Sequence, residues 1–171
     1  MTELHIGVLT SSDSRANGEE EDGSGKALIA FAEERGWLVV VYHVCPDDEE
    51  CLRASLTEMA DVDEADVVLT TGGTGLGPRD ITPEATIAIC ERMVPGIAEA
   101  IRLASLEVTP RAMISRAVAG MRGKTLIINL PGSEKAVRET FAVVADQLEH
   151  AVEMMAGGGH PVPPEALEED D

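Results

Sequence analysis

Glycines at positions 72, 73, 75 and 77 punctuate the stretch TTGGTGLGPRDITPEAT, Thr70 to Thr86, and Asp80 follows close behind them. Without Cβ atoms the backbone there can take φ > 0 and approach a ligand closely. Successive amides in such a turn converge on an anion, and a helix beginning near Pro83 turns the positive end of its dipole toward the same point. Phosphate is the anion that suits this chemistry. A carboxylate such as Asp80 beside phosphate calls for a cation between them, in such sites usually Mg²⁺. Glycines alone more often mark an ordinary turn after a strand. No Lys-Ser or Lys-Thr follows them and the dinucleotide spacing GxGxxG is missing, so neither of those phosphate motifs applies.

The elements that must carry this loop read as alternating strands and helices. Leu4 to Thr10 is a short apolar run, expected to be a buried first strand, with Ser11, Ser12 and Asp13 at its carboxyl end. In an open α/β sheet ligands bind beyond the carboxyl ends of strands, which makes these three candidate contacts; an Asx or Ser/Thr turn is the alternative. Arg15 to Gly25, with its acid run Glu19 to Asp22, reads as a solvated loop. A helix is expected over Lys26 to Arg35, ended by Gly36. Trp37 to Val44 reads as a central strand covered on both faces. Asp47 and Asp48 follow Pro46, where capping of the helix Glu49 to Met59 competes with a role at the site. Val67 to Thr71 is the third strand, and the order βαβαβ predicts a mainly parallel sheet in one three-layer α/β domain.

Beyond the loop, helices are expected over Pro83 to Arg92 and Ile97 to Leu106, then two apolar runs around Arg122-Gly123-Lys124 that suit a hairpin or two adjacent strands. Asn129-Leu130-Pro131-Gly132-Ser133 closes the last strand at the same ligand edge as the glycine loop. Val137, Phe141, Val144, Leu148, Val152 and Met155 recur at helical spacing and predict one long amphipathic helix. The domain is thus expected over residues 1–156, with 157–171 a mobile, acidic, proline-rich tail.

Composition limits the function classes. The chain has 171 residues, enough for one domain that buries roughly two-thirds of its unfolded surface. No apolar run approaches the about 18 residues of a membrane span, and the first residues lack the regions of a signal peptide, so the cytoplasm is the expected compartment. Cys45, Cys51 and Cys90 show no CxxC spacing and read as reduced thiols. With 32 acidic against 13 basic residues the net charge is −19, which repels nucleic acid and anionic membranes and argues against both as partners. A high-salt cytoplasm, where a Debye length of about 3 Å at 1 M salt screens self-repulsion, is one reading of this charge. A merely acidic protein from a GC-rich genome is the other.

The string TGGTG, then PRD, then TPEAT resembles the signature of the molybdenum-cofactor biosynthesis family that includes the Mog and MoaB proteins and the G domains of plant Cnx and of gephyrin. The SSD after the first strand, the PDD after the second, SRAVAG at 115–120 and NLPGSEKAV at 129–137 match the same family, so the resemblance spans residues 4 to 155. It implies a molybdopterin-binding α/β domain, a homotrimer, and in active members transfer of AMP from ATP to the terminal phosphate of molybdopterin with release of pyrophosphate. Carried over, it implies that Asp47 and Asp80 are catalytic and hold Mg²⁺ with ATP. Substrate contacts are then expected from Ser11, Ser12, Asp13, Thr71, Gly72, Gly73, Thr74, Gly75, Thr82, Pro83, Glu84, Ser115, Arg116, Asn129, Pro131, Gly132, Ser133 and Lys135. Arg79, Arg116 and Lys135 supply local positive charge for anionic substrates, or are ordinary surface charges. A MoaB-like binder without efficient transfer is the alternative to the enzyme. A CinA-like or molybdenum-insertion domain is a third reading, disfavoured by the short chain. Hand-over of the product to a molybdenum-insertion protein completes the expectation.

Overall fold

In the computed structural model, which describes residues 3–158, the fully buried strands Val67–Thr71 and Thr125–Leu130 lie side by side at the centre of a six-stranded sheet. Their near-continuous apolar runs fit that position, because helices cover both faces. In chain order the elements are β1 (His5–Ser11), α1 (Asp13–Ala16), α2 (Gly23–Glu34), β2 (Leu38–Cys45), α3 (Glu49–Asp61), β3 (Val67–Thr71), α4 (Thr82–Ile89), β4 (Arg92–Met93), α5 (Pro95–Leu106), a 3₁₀ turn (Pro110–Ile114), β5 (Ala119–Arg122), β6 (Thr125–Leu130) and α6 (Glu134–Met155). The sheet order is β2-β1-β3-β6-β5-β4, with β2, β1, β3 and β6 parallel, β5 antiparallel to β6 and β4 antiparallel to β5.

Strand periodicity sorts the core into two layers. Ile6 and Val8, Val67 and Leu69, and Leu126, Ile128 and Leu130 pack with α2, α5 and α6 on one face. Leu9, Val68 and Ile127, each one position out of phase, pack with Leu52, Leu56 and Met59 of α3 and Ala85 and Ile89 of α4 on the other. A one-residue slip would exchange the two sets, so burial on both faces fixes the register. Each fully buried Leu or Ile contributes roughly 1.5–3 kcal/mol through burial.

Three expectations need correction. The strand after Gly36 is the sheet's edge, because β2 pairs only with β1; it reads as central in sequence because α1, α2 and α3 still pack on it. The segment Arg15 to Gly25 is not simply a solvated loop: α1 and the start of α2 occupy part of it, and Asp22 is buried as the N-cap of α2. The helix from Thr82 stops at Ile89, and Arg92–Met93 instead extends the sheet against β5. Of the proposed tail only Gly157 and Gly158 fall within the described residues. No helix among those residues is long and apolar enough to cross a membrane.

Candidate active site

The carboxyl ends of β1, β2, β3 and β6 meet at one edge, and the loops that follow them are tied to one another. Gly72 (φ +94°) and Gly73 (φ +67°) turn the chain after β3 through left-handed conformations that favour glycine. Space forbids a side chain there as well: a Cβ on Gly72 would lie 2.3 Å from the Ser11 carbonyl oxygen, and one on Gly73 would lie 2.3 Å from Thr82 Oγ1. The amides of Gly73, Thr74 and Gly75 donate to no acceptor among the described residues. Consecutive open amides in a left-handed turn form a concavity suited to an anion.

Two carboxylates flank this turn. Asp47 is half-buried; its Oδ1 accepts from Ser11 Oγ at 2.6 Å and its Oδ2 from the Asp13 amide at 3.1 Å. It does not cap α3, since the capping bond to the Cys51 amide comes from Asp48. Asp80 closes the glycine loop on itself, with Oδ2 accepting from the Gly77 amide at 2.8 Å. Arg79 reaches back to β1 and forks onto Asp13, from Nε at 2.8 Å and Nη2 at 2.7 Å. That guanidinium, with a further bond from the Asp47 amide, holds the Asp13 carboxyl below the usual range.

Other expected contacts already have partners within the protein. Thr71, Thr82 and Asn129 are buried and fully engaged. Thr71 Oγ1 donates to the Pro131 carbonyl, Thr82 Oγ1 donates to the Gly72 carbonyl, and the Asn129 amide donates to Thr70 and Thr86 Oγ1 while accepting from the Val118 amide. Arg116 is committed to the glycine loop: it donates to the Gly75 and Asp80 carbonyls and pairs with Glu84, whose carboxyl it holds down. Pro83 is buried in the first turn of α4. Ser12 and Ser133 are N-caps, of α1 and α6 respectively. Lys135 is 82% exposed and 4.0 Å from Glu139, a surface pair on α6.

Beside the loop lies a cavity of about 250 Å³, lined by the expected residues Thr74, Gly75, Ser115 and Pro131. Arg102, Ser105, Thr109, Arg111, Glu139 and Thr140, not expected from sequence, also line it. Arg102 and Ser105 of α5 and Glu139 and Thr140 of α6 are polar residues that helical patterning does not separate from solvated ones, and Thr109 and Arg111 sit at the 3₁₀ turn, where no periodicity marks them. A larger, open hollow of about 1110 Å³ runs along α3, but it shares no residue with the glycine loop, and Asp48, Glu49, Glu50, Glu58 and Asp61 line it against any anion.

The model of a family described as a probable molybdopterin binding domain matches residues 7–150. The chain belongs to that family. A molybdopterin adenylyltransferase of Helicobacter pylori is 43% identical over 159 residues, covering 92% of this chain and 90% of its own. Among solved structures, the molybdopterin biosynthesis enzyme MoaB of Thermus thermophilus superposes with a TM-score of 0.85 at 44% identity, covering 90% of this chain and 97% of its own. The Mog protein of Mycobacterium ulcerans gives 0.84 at 35% identity, covering 92% and 99%. The expected fold, a mostly parallel α/β sheet of the Mog and MoaB type, is therefore found.

A phosphate held by these open amides beside two carboxylates calls for a divalent cation between them. Among the described residues no three His, Cys, Asp or Glu side chains form a metal cage. Mg²⁺ needs no such cage, because one or two carboxylates with water and substrate phosphates complete its shell. Asp47 and Asp80 are hard oxygen donors with lone pairs beyond the bonds named above. They fit a cation that arrives with a phosphate ligand.

Proposed function

We propose that this chain is a molybdopterin adenylyltransferase, acting in the cytoplasm in molybdenum cofactor biosynthesis. The terminal phosphate oxygen of molybdopterin attacks the α-phosphorus of ATP, a new P–O bond forms, and the bond to the leaving pyrophosphate breaks. The observation that carries this reading is the row of open amides at Gly73, Thr74 and Gly75, flanked by Asp47 and Asp80. The chain's 43% identity to a named adenylyltransferase along nearly its whole length supports it.

Nucleotidyl transfer asks the protein for positioning and charge neutralisation more than for covalent chemistry. The open amides grip a substrate phosphate, and the cavity beside them takes the pterin, whose ring edge meets Thr109, Ser115 and Thr140. Asp47 and Asp80 would hold Mg²⁺, which supplies neutralisation of phosphate charge. Arg79, drawn to the edge by Asp13, keeps a positive charge near anionic substrates on a protein of net charge −19. Arg116 and Asn129 act at one remove, by fixing the loop.

Homotrimer assembly belongs to the same reading. The exposed Leu103 and Leu106 of α5, Val108 after it, and Met113 and Ile114 of the 3₁₀ turn offer apolar surface for a second copy. The adenylylated product is then passed to a protein that inserts the metal. A binder of the MoaB kind without transfer is the second reading, since MoaB is among the similar structures. The presence of both carboxylates favours the enzyme. Exchanging either for Asn and assaying adenylylated molybdopterin separates the two.

A further inference from the structure

Asp22 is buried at 7% exposure, yet it is an acid at the end of an acidic run. Its carboxylate accepts from Thr10 Oγ1 at 2.5 Å, Tyr42 OH at 2.5 Å, the Gly25 amide at 2.9 Å and Ser24 Oγ at 3.3 Å. Gly25 has no room for a side chain, since a Cβ there would lie 2.1 Å from Asp22 Oδ2. Strands β1 and β2 and the start of α2 thus converge on one charge. Its counter-charge is Arg15, whose Nη1 lies 3.4 Å from Asp22 Oδ1 and donates to Ser24 Oγ at 2.8 Å.

The other end of the guanidinium does something that balancing Asp22 does not require. Arg15 Nη2 donates to the Gly132 carbonyl at 3.3 Å, in the loop after β6. Gly132 in turn leaves only 3.1 Å between its Cβ direction and Gly72 Cα, so its placement sets how tightly the glycine turn is backed. Arg15 is also two residues from Asp13, which carries Arg79 and meets Asp47. One side chain therefore bridges the loop after β1 to the loop after β6, across the strand that carries the glycine turn.

We propose that Arg15, anchored by Asp22, is a positioning residue for the adenylyl-transfer site: it fixes the Gly132 carbonyl and so the spacing of the loops that grip the substrate phosphates. This rests on the activity proposed above. The planar fork is what the role demands, because a single ammonium can balance Asp22 but cannot reach both Ser24 and Gly132 in fixed geometry. Its effect on rate follows from orientation, since a misplacement of about 1 Å can cost on the order of 10²-fold.

The test uses the full chain with Arg15→Lys and Arg15→Ala, leaving Asp22 and its other four donors in place. Arg15→Lys, which keeps a charge for Asp22, is expected to hold the wild-type Tm within a few degrees, whereas Arg15→Ala lowers it by leaving Asp22 without its counter-charge; in both, kcat falls on the order of 10²-fold with KM for ATP little changed. Added ethylguanidinium is expected to restore part of the rate of Arg15→Ala and none of that of Arg15→Lys. Amide exchange across residues 130–136 is expected to speed up in both. Wild-type kcat in Arg15→Lys, or a rate loss that only follows Tm, would overturn the proposal and leave Arg15 as a counter-charge. If the wild type itself forms no product, the proposed activity fails; unchanged exchange at 130–136 in the variants overturns the positioning claim, and faster exchange supports it.

Discussion

Asp13 and Asp47, 34 residues apart, exchange hydrogen bonds in both directions: the Asp47 amide donates to Asp13 Oδ1 at 3.0 Å and the Asp13 amide donates to Asp47 Oδ2 at 3.1 Å. The reciprocal pair joins the ends of β1 and β2 at the ligand edge. Ser11 Oγ takes the other oxygen of Asp47, so both oxygens already accept before any cation arrives.

That geometry makes the two aspartates unequal under substitution. Asp80→Asn keeps an oxygen for the Gly77 amide and loses only charge, so stability should change by a few tenths of a kcal/mol. Asp47→Asn turns one acceptor into a donor facing either Ser11 or the Asp13 amide, and should cost about 1–3 kcal/mol. Both should lose adenylyl transfer by orders of magnitude while molybdopterin binding persists. Thermal melts, a binding assay and product analysis on the pair check this. Near-normal product from both variants would remove the metal-holding role.

Filling the cavity should separate pterin binding from the fold. Ala136, half-buried in the first turns of α6, lines it, and Ala136→Phe projects a ring into about 250 Å³ of space. Molybdopterin affinity should drop tenfold or more, which is about 1.4 kcal/mol, with Tm little changed. Unaltered affinity would place the pterin elsewhere.

Acid stability should depend on Asp22. Burial opposes its ionisation and is the largest single influence, but the bonds from Thr10, Tyr42 and the Gly25 amide and the Arg15 charge together outweigh it, and its carboxyl titrates below the ordinary value. A carboxyl depressed in the folded state adds stability above the unfolded value of about 3.9, and that stability is lost as pH falls through the folded value. The stability gap between wild type and Asp22→Asn should therefore be widest near neutral pH and narrow below about pH 4. Denaturant titrations at several pH values measure it, and a gap constant down to pH 3 would contradict the assignment.

Light scattering should give three times the 18.1 kDa chain mass in molar KCl. A monomer mass there would remove the trimer.

Helix α6 could be read from sequence by its helical period, and strands β3 and β6 as short, continuous apolar runs that end in Gly-containing turns. The edge position of β2 could not, since helices packed on a strand's faces say nothing about its neighbours in the sheet. Asp22 was hidden for a related reason: Glu19, Glu20 and Glu21 beside it are exposed, and nothing in the run marks which acid turns inward to meet Thr10 and Tyr42. At the site, the glycine turn was legible because its backbone requirement is written in residue types. The commitments of Arg116 to two loop carbonyls and of Asn129 to two threonines depend on partners far along the chain, so both residues read as ligand contacts.

The central claim is most directly tested by incubating the purified protein with molybdopterin and Mg-ATP and analysing the products. The account predicts adenylylated molybdopterin and pyrophosphate in equal amounts, accumulating over many turnovers. Tight molybdopterin binding with no adenylylated product would contradict it and leave the protein a binder.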